Sequence, residues 1–364
     1  MLSRRAFLAA GAGCLLRAAG AAPAAPAESA RALYAPAAEA VERGLAYLAG
    51  EQAREGALAG SFGTGAGQGH VAITALAGLA FLSGGHLPGR GRYGAVVERV
   101  LRYVLKQAGP AGLLNHRDAI PRVPMYSHGF ATLLLAEAHG MAGPRELAEA
   151  LRERLRQAVR LILDTQNHEG GWRYEPIAVE QADLSVTAAQ AVALRAARNA
   201  GVGVPRAAVG KFLAYVKRCQ LLPEGGFCYQ PRAGPPTFPL TAAALVALHA
   251  GGVYDGPEVE AARRYLQEFL PTKRPKTSTP AEHWFYGHYY AAQAMHQAGG
   301  WAWGDWYKAI RDELCRTDRP GEIGTLRQQA DGSWPDATFG PHYATAMACL
   351  ILQVPRNCLP ILQN

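Results

Sequence analysis

No stretch of the sequence sustains the apolar and polar alternation of a β-strand bounded by turn residues, so nothing in it argues for a sheet. No two cysteines form a Cys-x-x-Cys motif or take zinc-ribbon spacing, which excludes the common structural zinc sites. Charge is sparse, 18% of residues, and 37 Lys and Arg against 29 Asp and Glu make only a modest positive balance. The one basic cluster, Lys273-Arg274-Pro275-Lys276, lies among Pro, Thr and Ser and reads as a solvated loop. No nucleic-acid partner is expected on either ground.

The chain begins with a processing signal. Ser3-Arg4-Arg5-Ala6-Phe7-Leu8 sets two arginines before the apolar stretch Ala6 to Leu16, which is too short to span a bilayer, and Ala25-Pro26-Ala27 offers a cleavage site. This pattern predicts export by the twin-arginine route to the periplasm or another extracytoplasmic space, with residues 1–27 as signal and 28–364 as a single folded domain. A lipid anchor on Cys14 is disfavoured, since Gly11-Ala12-Gly13 lacks the large aliphatic residue expected three places before it. Removing Arg4, Arg5 and Arg17 with no acidic residue lowers the net charge from +8 to +5. Five cysteines remain, an odd number that rules out complete intrachain pairing; Cys219 with Cys228 and Cys349 with Cys358 stay open as pairs.

A repeat organises everything after the signal. Glycine followed by a small and an aromatic or apolar residue recurs at Gly60-Ser61-Phe62, Gly112-Leu113-Leu114, Gly170-Gly171-Trp172, Gly225-Gly226-Phe227 and Gly332-Ser333-Trp334. The first glycines are spaced by 52, 58, 55 and 107 residues, the last step being two periods with one signal lost. Six units follow, each an amphipathic helix, a Gly- or Pro-rich loop and an Ala-rich helix. The first helices carry apolar residues at helical spacing with charges between them, as at Val97, Val100, Leu101 and Val104. The second helices, His70–Leu82, Tyr126–His139, Asp183–Ala200, Thr241–Ala250, Trp284–Ala298 and Tyr343–Val354, are apolar nearly all round and must be buried. An open solenoid would expose them on a concave surface, so closure into an all-α, (α/α)6 toroid is expected.

At residue level this chain resembles the terpenoid-cyclase and protein-prenyltransferase toroid superfamily, with its prenyltransferase and squalene-oxidase repeats. The Gln-x-x-x-Gly-x-Trp signature of that group occurs as Gln166 to Trp172 and again as Gln328 to Trp334, with a degenerate copy from Gln220 to Phe227. Its physical role reads as structural: Gln bonds open backbone groups at the end of the outer helix, Gly permits the turn, and Trp covers the junction.

In such a ring the N-terminal ends of the inner helices converge on one mouth. His70, Tyr126, His128, Asp183, Ser185, His283, Tyr286, Tyr289, His342 and Tyr343 fall near that level, and gathered polar and aromatic groups are what a small-molecule site requires. Tyr126, His128, Tyr286, Tyr289 and Tyr343 are the candidates for ligand contact, and Asp183, His288 and His342 for catalysis. A plainer reading stands beside each: a single His is commonly a bonded structural residue, and Asp183 is well placed to cap its helix. Thr74, Thr187, Thr241, His288 and Thr345 share one place, seven residues before a large apolar one, where Thr commonly caps or bonds back to the first turn.

The resemblance sharpens the chemistry. Protonation-initiated cyclases of the superfamily carry Asp-x-Asp-Asp-Thr-Ala, the middle Asp being the acid. Here the matching run is Asp183-Leu184-Ser185-Val186-Thr187-Ala188, in which Ser185 replaces the acid, and a serine hydroxyl does not protonate an alkene. The zinc triad of the prenyltransferase branch finds no counterpart; a site of His128, His288 and His342 is the only zinc arrangement left to consider, and neither metal nor cofactor is expected. The expected function is a terpenoid-cyclase-like toroid that binds, and in one version transforms, an apolar isoprenoid-type ligand. The alternatives are a non-catalytic periplasmic binding or interaction toroid and, third, a polysaccharide-active barrel. Contact with a membrane surface and the oligomeric state stay open.

Overall fold

The computed structural model describes residues 27–116, 118–273, 283–316 and 326–363. Residues 1–26, the body of the expected signal, lie outside the described residues. Thirteen α-helices occur among the described residues, together with short 3-10 turns and isolated β-bridges but no strand. No helix among them is long and apolar enough to cross a membrane.

After a first helix α1 (Ala27–Tyr34), the chain alternates outer and inner helices. The outer ones are α2 (Ala38–Glu51), α4 (Gly94–Lys106), α6 (Arg145–Asp164), α8 (Arg206–Arg218), α10 (Pro257–Gln267) and α12 (Gly300–Leu314). The inner ones are α3 (Val71–Ser83), α5 (Pro124–Glu137), α7 (Leu184–Asn199), α9 (Phe238–Ala250), α11 (Trp284–Ala298) and α13 (Gly340–Gln353). Each inner helix packs on the next, and α13 packs back on α3, so the ring is closed. The sequence explains the layering. Every residue of α3 is buried, whereas α4 buries one stripe led by Val97, Val100, Leu101 and Val104 and leaves its charged residues outside. Six hairpins closed in this way form an α/α toroid.

Closure rests on a repeated hydrogen-bond device. The side-chain amide of Gln166 donates to the carbonyl of Gly170 in its own loop (2.8 Å) and to that of Ala208 on the next outer helix (3.1 Å). Gln328 does the same toward Gly332 and Ala40, Gln220 toward Gly225 and Glu258, and Gln52 toward Gly60 and Val96. One side chain therefore fixes a loop and ties it to a first-turn carbonyl of a neighbouring outer helix. Gly170 is required by the same geometry: its φ is +99°, and a Cβ there would stand 2.2 Å from the carbonyl oxygen of Lys211. The Trp172 and Trp334 indoles are buried and donate to the carbonyls of Ile162 and Leu314.

The two ends of the ring differ in their connections. Outer-to-inner segments run 16 to 25 residues and inner-to-outer segments one to ten. The long segments surround the N-terminal ends of the inner helices. The C-terminal ends meet short turns and the chain's own tail, whose 3-10 turn Pro360–Leu362 packs on α7.

Candidate functional site

A cavity of about 750 Å³ occupies the long-loop end of the ring. Inner helices supply its depth through Ile73, Leu76, Phe130, Leu240 and Met347, and the loops supply its rim through Pro121, Tyr174, Tyr229, Pro236 and Phe339. Phe238 stacks on Phe269 with ring centroids 5.3 Å apart, and Tyr343 packs on Phe339 at 5.0 Å, so the aromatic wall is itself packed. No Lys, Arg, Asp or Glu side chain among the described residues lines it. Polar atoms come from Ser185, Thr237, His70, His283 and the tyrosine hydroxyls.

The polar atoms concentrate where α7 begins. Asp183 is the N-cap of α7: its Oδ1 accepts from the Val186 N–H (2.9 Å) and from the Ser185 hydroxyl (2.7 Å). Its Oδ2 is fully buried, and the Tyr229 hydroxyl, which pairs with that of Tyr174, reaches toward the carboxyl. Burial raises the Asp183 carboxyl above the usual range, against the pull of Ser185, Val186, Tyr229 and Arg173. Ser185, unlike Asp183, faces the cavity. Tyr286 donates to the Ser185 carbonyl (3.4 Å), and Tyr126 stands within hydrogen-bonding reach of both Ser185 and Tyr286. Burial raises the phenols of Tyr126 and Tyr286, which stay neutral.

The structure sorts the residues singled out in the sequence into three groups. Tyr126, Tyr286, Tyr343, Ser185, His70 and His283 line the cavity. Asp183 and Tyr289 lie just behind the lining; Tyr289 packs its ring on Phe130 and Tyr290 and is buried. His128, His288 and His342 do not reach the cavity at all. The expectation that they meet at the mouth is corrected by their contacts. His128 accepts from the Leu114 N–H with Nδ1 (3.1 Å) and bonds the Ala158 carbonyl with Nε2 (3.0 Å). His342 accepts from the Gly63 N–H with Nδ1 (3.0 Å) and packs between Tyr47 and Phe62, tying the last inner helix to the first loop. His288 is enclosed by Trp284, Phe238 and Trp306. The His-only zinc arrangement falls with them: no group of three or more His, Cys, Asp or Glu that could hold a metal is gathered among the described residues.

The column of threonines has a different job from helix capping. The hydroxyls of Thr74, Thr187, Thr241 and Thr345 accept the backbone N–H of Phe62, Trp172, Phe227 and Trp334, the aromatic residue of each loop motif. His128 fills this role in the second repeat, and His288 occupies the corresponding place on α11. The same sequence rule locates His128, which stands seven residues before Leu135. The five cysteines among the described residues are free, so neither open pairing is formed.

Sequence reasoning missed much of the wall. Tyr174 and Tyr229 each stand two residues past the motif aromatics, Trp172 and Phe227. That spacing was the available signal. Phe238 opens α9 ahead of Thr241, where the sequence pattern starts that helix, Tyr265 lies on the outer helix α10, and Phe269 lies in the loop after it.

No family model matches this chain, and no curated protein does. Solved structures do. A variant of the type II terpene cyclase MstE from Scytonema, in complex with its substrate geranylgeranyl dihydroxybenzoate, is 15% identical; the match covers 91% of this chain and 99% of that one with a TM-score of 0.55. An α-1,6-mannanase of a Salegentibacter species, an inactive variant with α-1,6-mannotriose, matches at 8% identity, 88% and 99% coverage and a TM-score of 0.61. The cellobiose 2-epimerase of Spirochaeta thermophila matches at 17%, 92% and 99%, and 0.58. At such identities the likeness establishes a shared α/α toroid, and the chemistry has to be argued from the site.

Proposed function

We propose that this chain binds an apolar isoprenoid-type ligand in the mouth cavity of its ring. The observation that carries this reading is the cavity itself: about 750 Å³, walled by aromatic and aliphatic side chains and free of lining charge among the described residues. A volume of that size suits a ligand of drug dimensions or a long prenyl chain. Each methylene removed from water contributes about 0.8 kcal/mol, enough over 15 to 20 carbons to offset the cost of association. The substrate held by the toroid of MstE, a geranylgeranyl compound, lends support by analogy of fold.

Binding is favoured over protonation chemistry. The acid of the superfamily's protonating motif is replaced by Ser185, and Asp183 is committed to capping α7. A sugar-processing reading is supported by the mannanase and epimerase likenesses. It is the weaker one, because glycoside hydrolysis needs paired carboxylates and none lines the cavity among the described residues.

Export through Arg4 and Arg5 belongs to the same proposal, since a periplasmic ring would meet lipids released from membranes. Replacing both by Lys should strand the precursor in the cytoplasm, and unchanged export would remove this part. The binding reading is tested by native mass spectrometry of the full chain purified from its host with co-extracted lipids. A bound species of isoprenoid mass is expected; a persistently empty ring would count against the reading.

A further inference from the structure

The polar corner beside α7 specifies one end of the ligand, an inference that rests on the proposed apolar-ligand reading. Ser185 is the key residue. Its hydroxyl hydrogen is spent on Asp183 Oδ1 (2.7 Å), so the Oγ that faces the cavity offers lone pairs and no proton. A ligand group that meets Ser185 must therefore donate. Around it stand the hydroxyl of Tyr126, which can donate and accept, and that of Tyr286, whose hydrogen goes to the Ser185 carbonyl and which can only accept; burial keeps both phenols neutral. The Tyr174 and Tyr229 hydroxyls are already paired with each other. On the α3 and α13 side the aliphatic residues Ala72, Ile73, Leu76 and Met347 line it beside His70 and Tyr343.

Charge narrows the class further. A phosphate or carboxylate brought to this corner would find no lining Lys or Arg among the described residues to replace its lost water. Arg173 stands over the Tyr174 ring, 5.9 Å from its centroid, bonds Gln181 and is not part of the lining. An ammonium would likewise meet no lining carboxylate among the described residues, since Asp183 is sealed beneath the wall and spends Oδ1 on Ser185 and Val186. We propose that the cavity selects a long apolar molecule ending in a single neutral hydroxyl, which donates to Ser185 Oγ and accepts from Tyr126, and that it rejects prenyl diphosphates.

Four chain-matched probes test this on the full-length protein by calorimetric titration: geranylgeraniol, its methyl ether, geranylgeranylamine and geranylgeranyl diphosphate. Geranylgeraniol should bind about ten-fold tighter than the ether, a difference of roughly 1.4 kcal/mol, and the diphosphate and the amine should be weaker still. Ser185→Ala should shrink the preference for alcohol over ether, and Tyr126→Phe should weaken both probes, since an ether oxygen accepts a hydrogen bond as an alcohol oxygen does. Tyr126→Phe keeps the ring and so guards against a simple failure to fold. Equal binding of alcohol and ether, or tighter binding of the diphosphate or amine, would overturn the inference and leave the apolar-cavity reading standing. If none of the four binds, both fall together.

Discussion

The two ends of the ring are made from the same six inner helices and have opposite characters. At the mouth, long loops lean on the helix N-termini and leave about 750 Å³ of aromatic-walled space. At the floor, short turns and the C-terminal segment close the ring, and a cavity there beside His249 and Leu362 is only about 30 Å³. Polar side chains at the floor are sealed in. Glu137 is buried and accepts the Ile361 N–H (3.3 Å), and Gln297 donates to the Leu362 carbonyl (3.4 Å), so the tail is bonded to α5 and α11. Burial lowers His249 to about 3, with Arg263 adding to the effect, and leaves it neutral. The difference teaches that ring closure and ligand space are separate problems. The loop glutamine solves the first at four of the six repeats, and the mouth is then free to vary its lining.

The largest effect should come from breaking the frame of the mouth. Gly170→Ala places a Cβ against the Lys211 carbonyl in a backbone region that disfavours side chains. A loss of about 4 kcal/mol or more is expected by denaturant unfolding. A loss under about 1 kcal/mol would mean that the loop shifts freely and frames nothing.

The floor has a pH signature. Glu137 is pushed up to about 7 by burial, with the Ile361 N–H pulling the other way. A carboxyl whose folded pKa is raised adds no penalty below its unfolded value near 4.3. Stability should therefore fall as pH rises from about 4.5 to 7 and level off above, by on the order of 3 kcal/mol in total. Glu137→Gln should flatten that slope and melt higher than the parent at pH 8. The same slope in the Gln variant would show that another group carries it.

A smaller effect separates the histidines from the cavity. His342→Ala leaves the Gly63 N–H without its acceptor and opens space between Tyr47 and Phe62, at a cost of about 2 kcal/mol. Geranylgeraniol affinity should not change. Lost affinity with an unaltered melt would return His342 to the site.

The ring was legible because its causes are periodic. Helices buried all round, a repeating Gly turn and two full motif copies each constrain the whole chain. The mouth was only partly legible. Tyr126, Tyr286 and Tyr343 were found because they begin inner helices, where position follows from the repeat. The rim residues Tyr174, Tyr229, Phe238 and Phe269 lie in or beside loops that have no period to read. The histidines misled for a physical reason: an imidazole and a threonine hydroxyl can accept the same backbone N–H, so His128 belonged to the threonine column all along. Gln52, which repeats the bonds of Gln166, was hidden because its loop lengthens the spacing to glycine.

One titration tests the contrast between the ends most directly. Ala72 lines the mouth on α3, so Ala72→Trp projects an indole into the cavity, whereas Glu137→Gln alters the floor alone. With geranylgeraniol as probe, the account predicts that Ala72→Trp abolishes binding while Glu137→Gln binds as the parent does. Binding that survives in Ala72→Trp and disappears in Glu137→Gln would place the ligand at the floor and contradict the account.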